Sequence, residues 1–384
     1  MGGEKETIRP VVATVNLDNI RHNVEFLKGL LTPECLFMAV VKANGYGHGD
    51  AEVSRAALDG GADRLGVALV EEGIRLRRAG FDCPIHLLFE PPPGAAAAVL
   101  ENDLIATVYT DRMARALSEE AANRGVNSRV HIKVDTGMHR VGIYPDEVAE
   151  FAGLLGGLPG IEVEGIYTHF AVADRVGHPF TEVQMDRFEE AAAVAEEVLG
   201  KPLVKHAANS AAVLSSPRSS CDMVRVGIAM LGMLPSEEFA GDEHLRPALS
   251  LTGEVAFVKR VPAGEGISYG LRYAPERDTC IAVLPLGYAD GFSRLLSGNA
   301  EVLIGGKRRP VVGTVCMDLI MVDLGEEPVE PGTPFTVIGA EGGKEITADE
   351  IAERLGTINY EVTCMISPRV PRVYVQEEEG GVER

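Results

Sequence analysis

Ala39-Val40-Val41-Lys42-Ala43-Asn44-Gly45-Tyr46-Gly47-His48-Gly49 joins a continuous apolar run to a single lysine and a turn with three glycines in five residues. A run without polar alternation suits a strand buried on both faces, the kind found in parallel sheets covered by helices. In such folds the site lies at the C-terminal ends of the strands, so Lys42 is presented on a rigid base to whatever the turn holds. An amine in that place is suited to forming a Schiff base. A lone strand-end lysine is more often simply solvated. Here the glycines favour the site, because they let a ligand approach the backbone and the next helix pack closely.

The chain around this stretch repeats the same pattern. Apolar runs at 36–41, 64–69, 84–89, 104–109, 130–135, 161–169, 203–207 and 223–231 alternate with stretches such as 111–124 and 181–199 that carry alanine, glutamate and leucine at helical spacing. Eight such units predict an α/β chain whose N-terminal part, residues 1–245, is a (β/α)8 TIM-like barrel. An open doubly wound sheet is the alternative, but its Gly-x-Gly-x-x-Gly fingerprint is not evident. After Pro247 the texture changes. Strand-like segments at 254–261, 280–284, 309–312, 319–324 and 335–339, punctuated by glycine turns, predict a C-terminal mainly-β domain over residues 246–384. Its one clear helix is expected at 346–355, with Thr347 as cap and Glu350 completing a capping box. Residues 376–381 read as a frayed acidic tail.

Composition narrows the function classes. With 384 residues and 46% hydrophobic content the chain can build a barrel plus a smaller partner domain. No apolar stretch approaches the length of a membrane span, and Met1-Gly2-Gly3-Glu4-Lys5-Glu6 has no signal-peptide pattern, so the expected compartment is the cytoplasm. A net charge of -21 repels nucleic acid and anionic lipid, and neither is an expected partner. The six cysteines lack Cys-x-x-Cys spacing and read as reduced packing residues, with no metal site expected.

Several further stretches carry candidate chemistry. His131-Ile132-Lys133-Val134-Asp135-Thr136-Gly137-Met138-His139-Arg140 sets a lysine inside an apolar strand, where it must be neutralised or paired, unless it faces outward between helices. Gly165-Ile166-Tyr167-Thr168-His169-Phe170 brings His169 to a strand end. His206-Ala207-Ala208-Asn209-Ser210-Ala211 offers Asn209 and Ser210 as a helix cap that can also meet a phosphate. Met223-Val224-Arg225-Val226-Gly227-Ile228 adds Arg225 and the amides of Gly227 and Ile228 at the eighth unit, a common phosphate position in barrels. Arg225 could otherwise pair with Asp222. The second domain supplies Gly266-Ile267-Ser268-Tyr269-Gly270, Leu284-Pro285-Leu286-Gly287-Tyr288-Ala289-Asp290-Gly291, Val312-Gly313-Thr314-Val315-Cys316-Met317-Asp318, Thr357-Ile358-Asn359-Tyr360-Glu361 and Arg369-Val370-Pro371-Arg372.

In this order, from about Val12 to Tyr374, these motifs resemble the alanine racemase family, whose members depend on pyridoxal 5'-phosphate (PLP). The resemblance implies that Lys42 carries PLP and that Tyr46 and Tyr360 contact its phosphate. It implies that His169 supports the essential tyrosine and arginine, and that Arg225 donates to the pyridine nitrogen. Since guanidinium does not deprotonate in proteins, that nitrogen stays unprotonated and the ring is a weaker electron sink, which limits side reactions such as transamination. Lys133 is implied to be carbamylated and to hold Arg140, which takes the substrate carboxylate together with the backbone at Met317. Tyr288 narrows substrate access. Two-base racemisation needs a group on each face of the planar carbanion, and the implied pair is Lys42 and Tyr269 of the partner subunit in a head-to-tail homodimer. The implied activity interconverts L- and D-alanine and supplies D-alanine for peptidoglycan. Departures are modest: Thr314 stands where members commonly have arginine, Leu319 where glutamine is frequent, and Leu231 where tyrosine is. The alternatives are a broader-specificity or serine racemase and a barrel-type PLP decarboxylase. The latter should pair its pyridine nitrogen with an acid, where this chain offers Arg225.

Overall fold

The structure is a computed structural model that describes residues 8–240 and 244–376. The opening residues and the acidic stretch from Glu377 onward lie outside the described residues. The chain divides into two compact units. The first strand, β1 (Val12–Asn16), is separated in sequence from the sheet it joins. The barrel strands follow: β2 (Leu36–Val40), β3 (Arg64–Val67), β4 (Ile85–Leu87), β5 (Leu104–Val108), β6 (Ser128–Lys133), β7 (Ile161–Tyr167), β8 (Val204–His206) and β9 (Met223–Val226).

All eight barrel strands are parallel, in the order β8-β7-β6-β5-β4-β3-β2-β9. The β8/β9 seam is bridged by Asp222 N–H donating to the Lys205 carbonyl and Arg225 N–H to that of Ala208, both at 3.0 Å. Seven of the expected runs hold one of these strands, and the run at 130–135 overlaps β6, which starts two residues earlier at Ser128. They are legible because strands buried on both faces, such as Leu36–Val40, read as unbroken apolar sequence. Helices alternate with them. Asp111–Arg124 is capped by Thr110, whose hydroxyl accepts from Met113 N–H, and it buries Met113, Leu117 and Ala121 against the sheet. The longest described helix, Pro179–Leu199, begins two residues before the expected stretch at a His178 cap. Among the described residues no helix is long and apolar enough to cross a membrane.

The second unit is a sheet of β10 (Leu249–Glu254), β11 (Phe257–Val261), β12 (Thr279–Leu284), β13 (Glu301–Ile304), β14 (Lys307–Val312), β15 (Ile320–Gly325), β16 (Pro334–Glu341), β17 (Lys344–Ile346) and β18 (Arg372–Val375). β1 lies inside this sheet, antiparallel to β10 and parallel to β18. The barrel unit is therefore not the whole of residues 1–245: of the described residues, 8–18 belong with the sheet, as do residues 47–49. A five-residue strand preceding the first βα unit carries no periodicity that tells which sheet it completes. The expected helix is found at Ala348–Leu355, and the Thr347 hydroxyl caps it by accepting from Glu350 N–H at 3.1 Å. The Glu350 carboxylate is bound by Arg308 at 2.7 Å and Arg354 at 2.9 Å instead of turning back to close a capping box. All six cysteines are free thiols, and Cys364 is exposed, which corrects the reading of every cysteine as a packing residue.

Candidate active site

Lys42 stands immediately beyond β2, where Val41 N–H still donates to the Gly66 carbonyl at 2.8 Å. The next four residues, Ala43, Asn44, Gly45 and Tyr46, have φ of 52, 55, 59 and 53°, a full left-handed turn. For residues with a Cβ this conformation costs roughly 1 to 2 kcal/mol each, so the surroundings must enforce it. They do so through Glu72. Its buried carboxylate accepts from Ala43 N–H and Ala68 N–H at 2.8 Å and from Leu69 N–H at 3.1 Å, tying the lysine turn to the start of the helix Val70–Arg78. Gly45 N–H donates to the Val41 carbonyl at 2.9 Å.

The turn brings the Tyr46 hydroxyl over the backbone of Gly227. A Cβ on Gly227 would come within 2.4 Å of that oxygen, so the approach requires glycine. Asn209 caps the helix Ser210–Ser215 by accepting from Ala212 N–H at 3.0 Å. Ser210 Oγ accepts from Gly227 N–H at 3.1 Å and Ala229 N–H at 3.4 Å. Ile228 opens a buried single turn directly after Gly227. Tyr46 and Ser210 therefore bring hydroxyls to the backbone of Gly227, next to the Ile228 turn and the Asn209 cap, and hydroxyls and amides of this kind fit a phosphate.

Arg225 is buried at the end of β9, and burial pulls its pKa down to about 10, which leaves it charged at neutral pH. Its Nη1 donates to the His206 carbonyl at 2.9 Å, and its Nη2 to the carbonyls of Thr168 at 2.7 Å and Ala207 at 3.0 Å. The same nitrogens face His206 Nδ1 at 2.9 Å and His169 Nδ1 at 3.2 Å. Among the described residues no carboxylate pairs with it. Asp222 instead accepts from Lys205 N–H at 2.8 Å. The guanidinium is thus fixed by three carbonyls at the ends of β7 and β8.

Lys133 is 5% exposed, and its ammonium position lies 4.2 Å from the centre of the Tyr167 ring. Burial first, then Arg225 and Arg140, push its pKa well below the usual lysine value, so the amine tends to be neutral. Burial and the same cations, together with Lys133 and Lys42, keep His169 neutral as well. Arg140 lies outside the packed interior, with its guanidinium 5.6 Å from the Phe89 ring centre.

The motifs gave no warning of the polar layer inside the barrel. His86, His131 and His206 are fully buried and bring ring nitrogens within 4.8 Å of one another. His206 stacks on Tyr167 at 4.6 Å, and the Tyr167 hydroxyl donates to the Leu88 carbonyl at 2.9 Å and meets Thr107 Oγ1 at 2.8 Å. A dication held by the three imidazoles would stand among Arg225 and Lys133 and would break the 2.8 Å His131–His206 hydrogen bond. Burial lowers the pKa of all three histidines, with Arg225 and Lys133 adding to it at His86 and His206 and Arg64 and Arg129 at His131, so the rings stand neutral among cations that a dication would meet. The available signal was polar residues at inward-alternating positions of runs that are otherwise apolar.

The sheet unit carries the remaining sequence candidates. Tyr269 is 73% exposed, on a loop where Ser268 and Leu271 have φ of 64 and 47°. Thr314 holds that loop, its hydroxyl donating to the Tyr269 carbonyl at 2.7 Å. Ser268 Oγ donates to the Thr314 carbonyl, also at 2.7 Å. Tyr288 N–H donates to the Cys316 carbonyl and Ala289 N–H to that of Met317, both at 3.0 Å, so Tyr288 and Met317 sit on adjoining backbone. Both side chains are exposed, at 42% and 52%. Tyr360 lies in the first turn of the helix Asn359–Met365.

Residues 15–235 match the alanine racemase N-terminal domain model, and residues 248–374 match the C-terminal one. The alanine racemase of Desulfovibrio desulfuricans is 45% identical over 372 residues, covering 96% of this chain and 99% of that protein. That of Symbiobacterium thermophilum is 47% identical over 368 residues, covering 96% and 97%. The alanine racemase from D-cycloserine producing Streptomyces lavendulae superposes with a TM-score of 0.93 at 39% identity, covering 98% and 99% of the two chains. The one from Bacillus anthracis with bound L-Ala-P gives 0.92 at 40% identity, covering 96% of each. With two family models spanning most of its length and relatives matched nearly end to end, this chain belongs to the alanine racemase family.

Proposed function

We propose that this PLP-dependent family member interconverts L- and D-alanine, with Lys42 and Tyr269 as the two bases, and supplies D-alanine for peptidoglycan. The observation that carries the site assignment is the barrel cluster, in which a strand-end lysine, a glycine cradle and a buried arginine without a carboxylate partner lie on one packed unit. Lys42 would hold PLP covalently. Tyr46, Asn209, Ser210, Gly227, Ile228 and Tyr360 would hold its phosphate, with His169 beside the ring. When bound, PLP supplies the electron sink that makes the substrate Cα–H acidic.

The protein's own groups do the rest. Arg225 can only donate, so it requires a lone pair on the ring nitrogen opposite it and tempers that sink. Lys133, carbamylated, becomes an anion that orients Arg140 toward the substrate carboxylate. The backbone at Met317 takes the other side of that carboxylate, and Tyr288 narrows access. Lys42 Nζ removes or returns the Cα proton on one face and the Tyr269 hydroxyl does so on the other. Tyr269 comes from a second copy in a homodimer. Its exposure supports this, since a phenol open to water is neither oriented nor desolvated. Free thiols throughout suit the cytoplasm.

Lys42→Ala is expected to abolish racemisation and the visible absorbance of protein-bound cofactor. Borohydride reduction followed by peptide mapping should label Lys42, and a label on another lysine would overturn the assignment.

A further inference from the structure

The tautomers inside the barrel can be read from the Arg225 end, and a carboxylate stands at the other. A guanidinium has no lone pair to accept with, so His206 Nδ1, 2.9 Å from Arg225 Nη1, must be the acceptor. The His206 proton is then on Nε2, and His131 Nδ1, 2.8 Å away, accepts it. That leaves the His131 proton on Nε2, and Glu164 Oε2 lies 3.5 Å from that nitrogen, an electrostatic contact without hydrogen-bond geometry. The other Glu164 oxygen lies 2.7 Å from Arg64 Nη1.

Two local features build the Glu164 end. The β6/β7 register slips between Val130↔Val163 and His131↔Gly165, leaving Glu164 opposite nothing. A bulge of this kind re-aims the extra side chain, which is how a residue next to an inward position also reaches the interior. Gly165 provides the space, since a Cβ there would come within 2.4 Å of His131 Cε1. Burial works to raise the Glu164 pKa, but the Arg64 guanidinium beside it holds the carboxyl below its ordinary value. A carboxylate therefore faces the His131 ring, which burial keeps neutral.

We propose that Glu164 is a positioning residue for Arg225: its carboxylate, acting through His131 and His206, keeps a lone pair directed at the guanidinium and so fixes the donor that faces the cofactor ring. The tautomer chain stands on the barrel geometry alone. Its consequence for the reaction rests on the assignment of Arg225 made above. Glu164→Gln should invert the chain. Arg64 can only donate and takes the amide carbonyl, so the amide NH2 is left facing His131 Nε2. His131 then carries its proton on Nδ1 and donates to His206 Nε2, which places the His206 proton on Nδ1, and Arg225, unable to accept it, must withdraw from its 2.9 Å contact.

The test is nitrogen NMR of histidine-labelled holoenzyme, with His131→Gln and His206→Asn used to assign the signals. In the unaltered enzyme both rings should be neutral with the proton on Nε2. A cationic ring or a proton on Nδ1 there overturns the proposal whether or not any variant folds. In Glu164→Gln both protons should move to Nδ1, with kcat down about tenfold and KM little changed. Arg64→Gln, which breaks the same ion pair but leaves the carboxylate, should keep the Nε2 tautomers and most of the rate. A rate loss in Glu164→Gln without inversion, or inversion without rate loss, overturns the positioning role. Failure of the Arg225 assignment itself would look different: Arg225→Lys would leave rate and cofactor absorbance unchanged while the tautomers stay as expected.

Discussion

Lys133 shows how one residue's surroundings prepare its chemistry. A protonated lysine does not react with carbon dioxide. The amine must be free, its nitrogen then forms a bond to the carbon of CO2, and one proton leaves to water. Burial and the neighbouring Arg225 and Arg140 depress the Lys133 pKa, which keeps a larger fraction of free amine at neutral pH than a surface lysine has. The same two cations then stabilise the anion that forms. The sign with pH follows directly. Because the folded pKa lies below the ordinary 10.5, the free amine persists well under that value and is lost only as pH falls through the depressed pKa. Enzyme equilibrated with 13C-bicarbonate should therefore show a carbamate carbon resonance that is present at pH 8, weakens on acidification and is missing in Lys133→Ala. That variant should lose activity and regain part of it with acetate, which replaces the anion. A wild-type spectrum without the resonance at pH 8 would rule the modification out.

At the scale of elements, the turn after β2 gathers three left-handed residues that are not glycine, and one helix residue holds the first of them. Ala43, Asn44 and Tyr46 are left-handed without being glycine, and Glu72 accepts from the first of them while also capping its own helix. Glu72→Gln must set an NH2 against at least one of three buried N–H donors, a mismatch worth about 1 to 3 kcal/mol. Hydrogen exchange should rise at Ala43 and Gly45 while the barrel strands stay protected, and kcat should fall about tenfold as Lys42 loses its fixed base. Unchanged exchange at those two amides would show that Glu72 serves its helix alone. The glycines announce a turn here, but nothing in the sequence announces that Ala43, Asn44 and Tyr46 are left-handed in it. Hydrophobic periodicity reveals the eight barrel strands, yet it carries no information on handedness at Ala43, on the register slip that exposes Glu164 to the interior, or on which sheet receives β1. It also runs strands into their turns: the apolar run at 223–231 is strand only to Val226, and the buried turn Ile228–Leu231 continues its composition. Site residues were legible where a motif named them. Tyr167, His86 and Glu164 act through tertiary contacts that no short motif records.

For the whole molecule, the exposed groups of the sheet unit ask for a partner. Phe257, Tyr269, Leu271, Tyr288, Met317 and Leu319 are all exposed by 41% or more, an apolar set that a folded chain rarely leaves to water. A second copy with two-fold symmetry would cover both such sets at once and lend each barrel the other chain's Tyr269. Activity should then require the dimer, and complementation tests it. Lys42→Ala and Tyr269→Ala are each expected to be inactive. In a heterodimer of the two, one site receives both bases and the other neither. Random reassortment makes about half of the dimers mixed, each with one working site of two, so roughly a quarter of wild-type activity should return once subunits exchange. Exchange is followed independently by mass spectrometry of differently tagged chains. Confirmed exchange with no recovered activity would place both bases on the same chain, and the covered apolar set would then serve assembly alone.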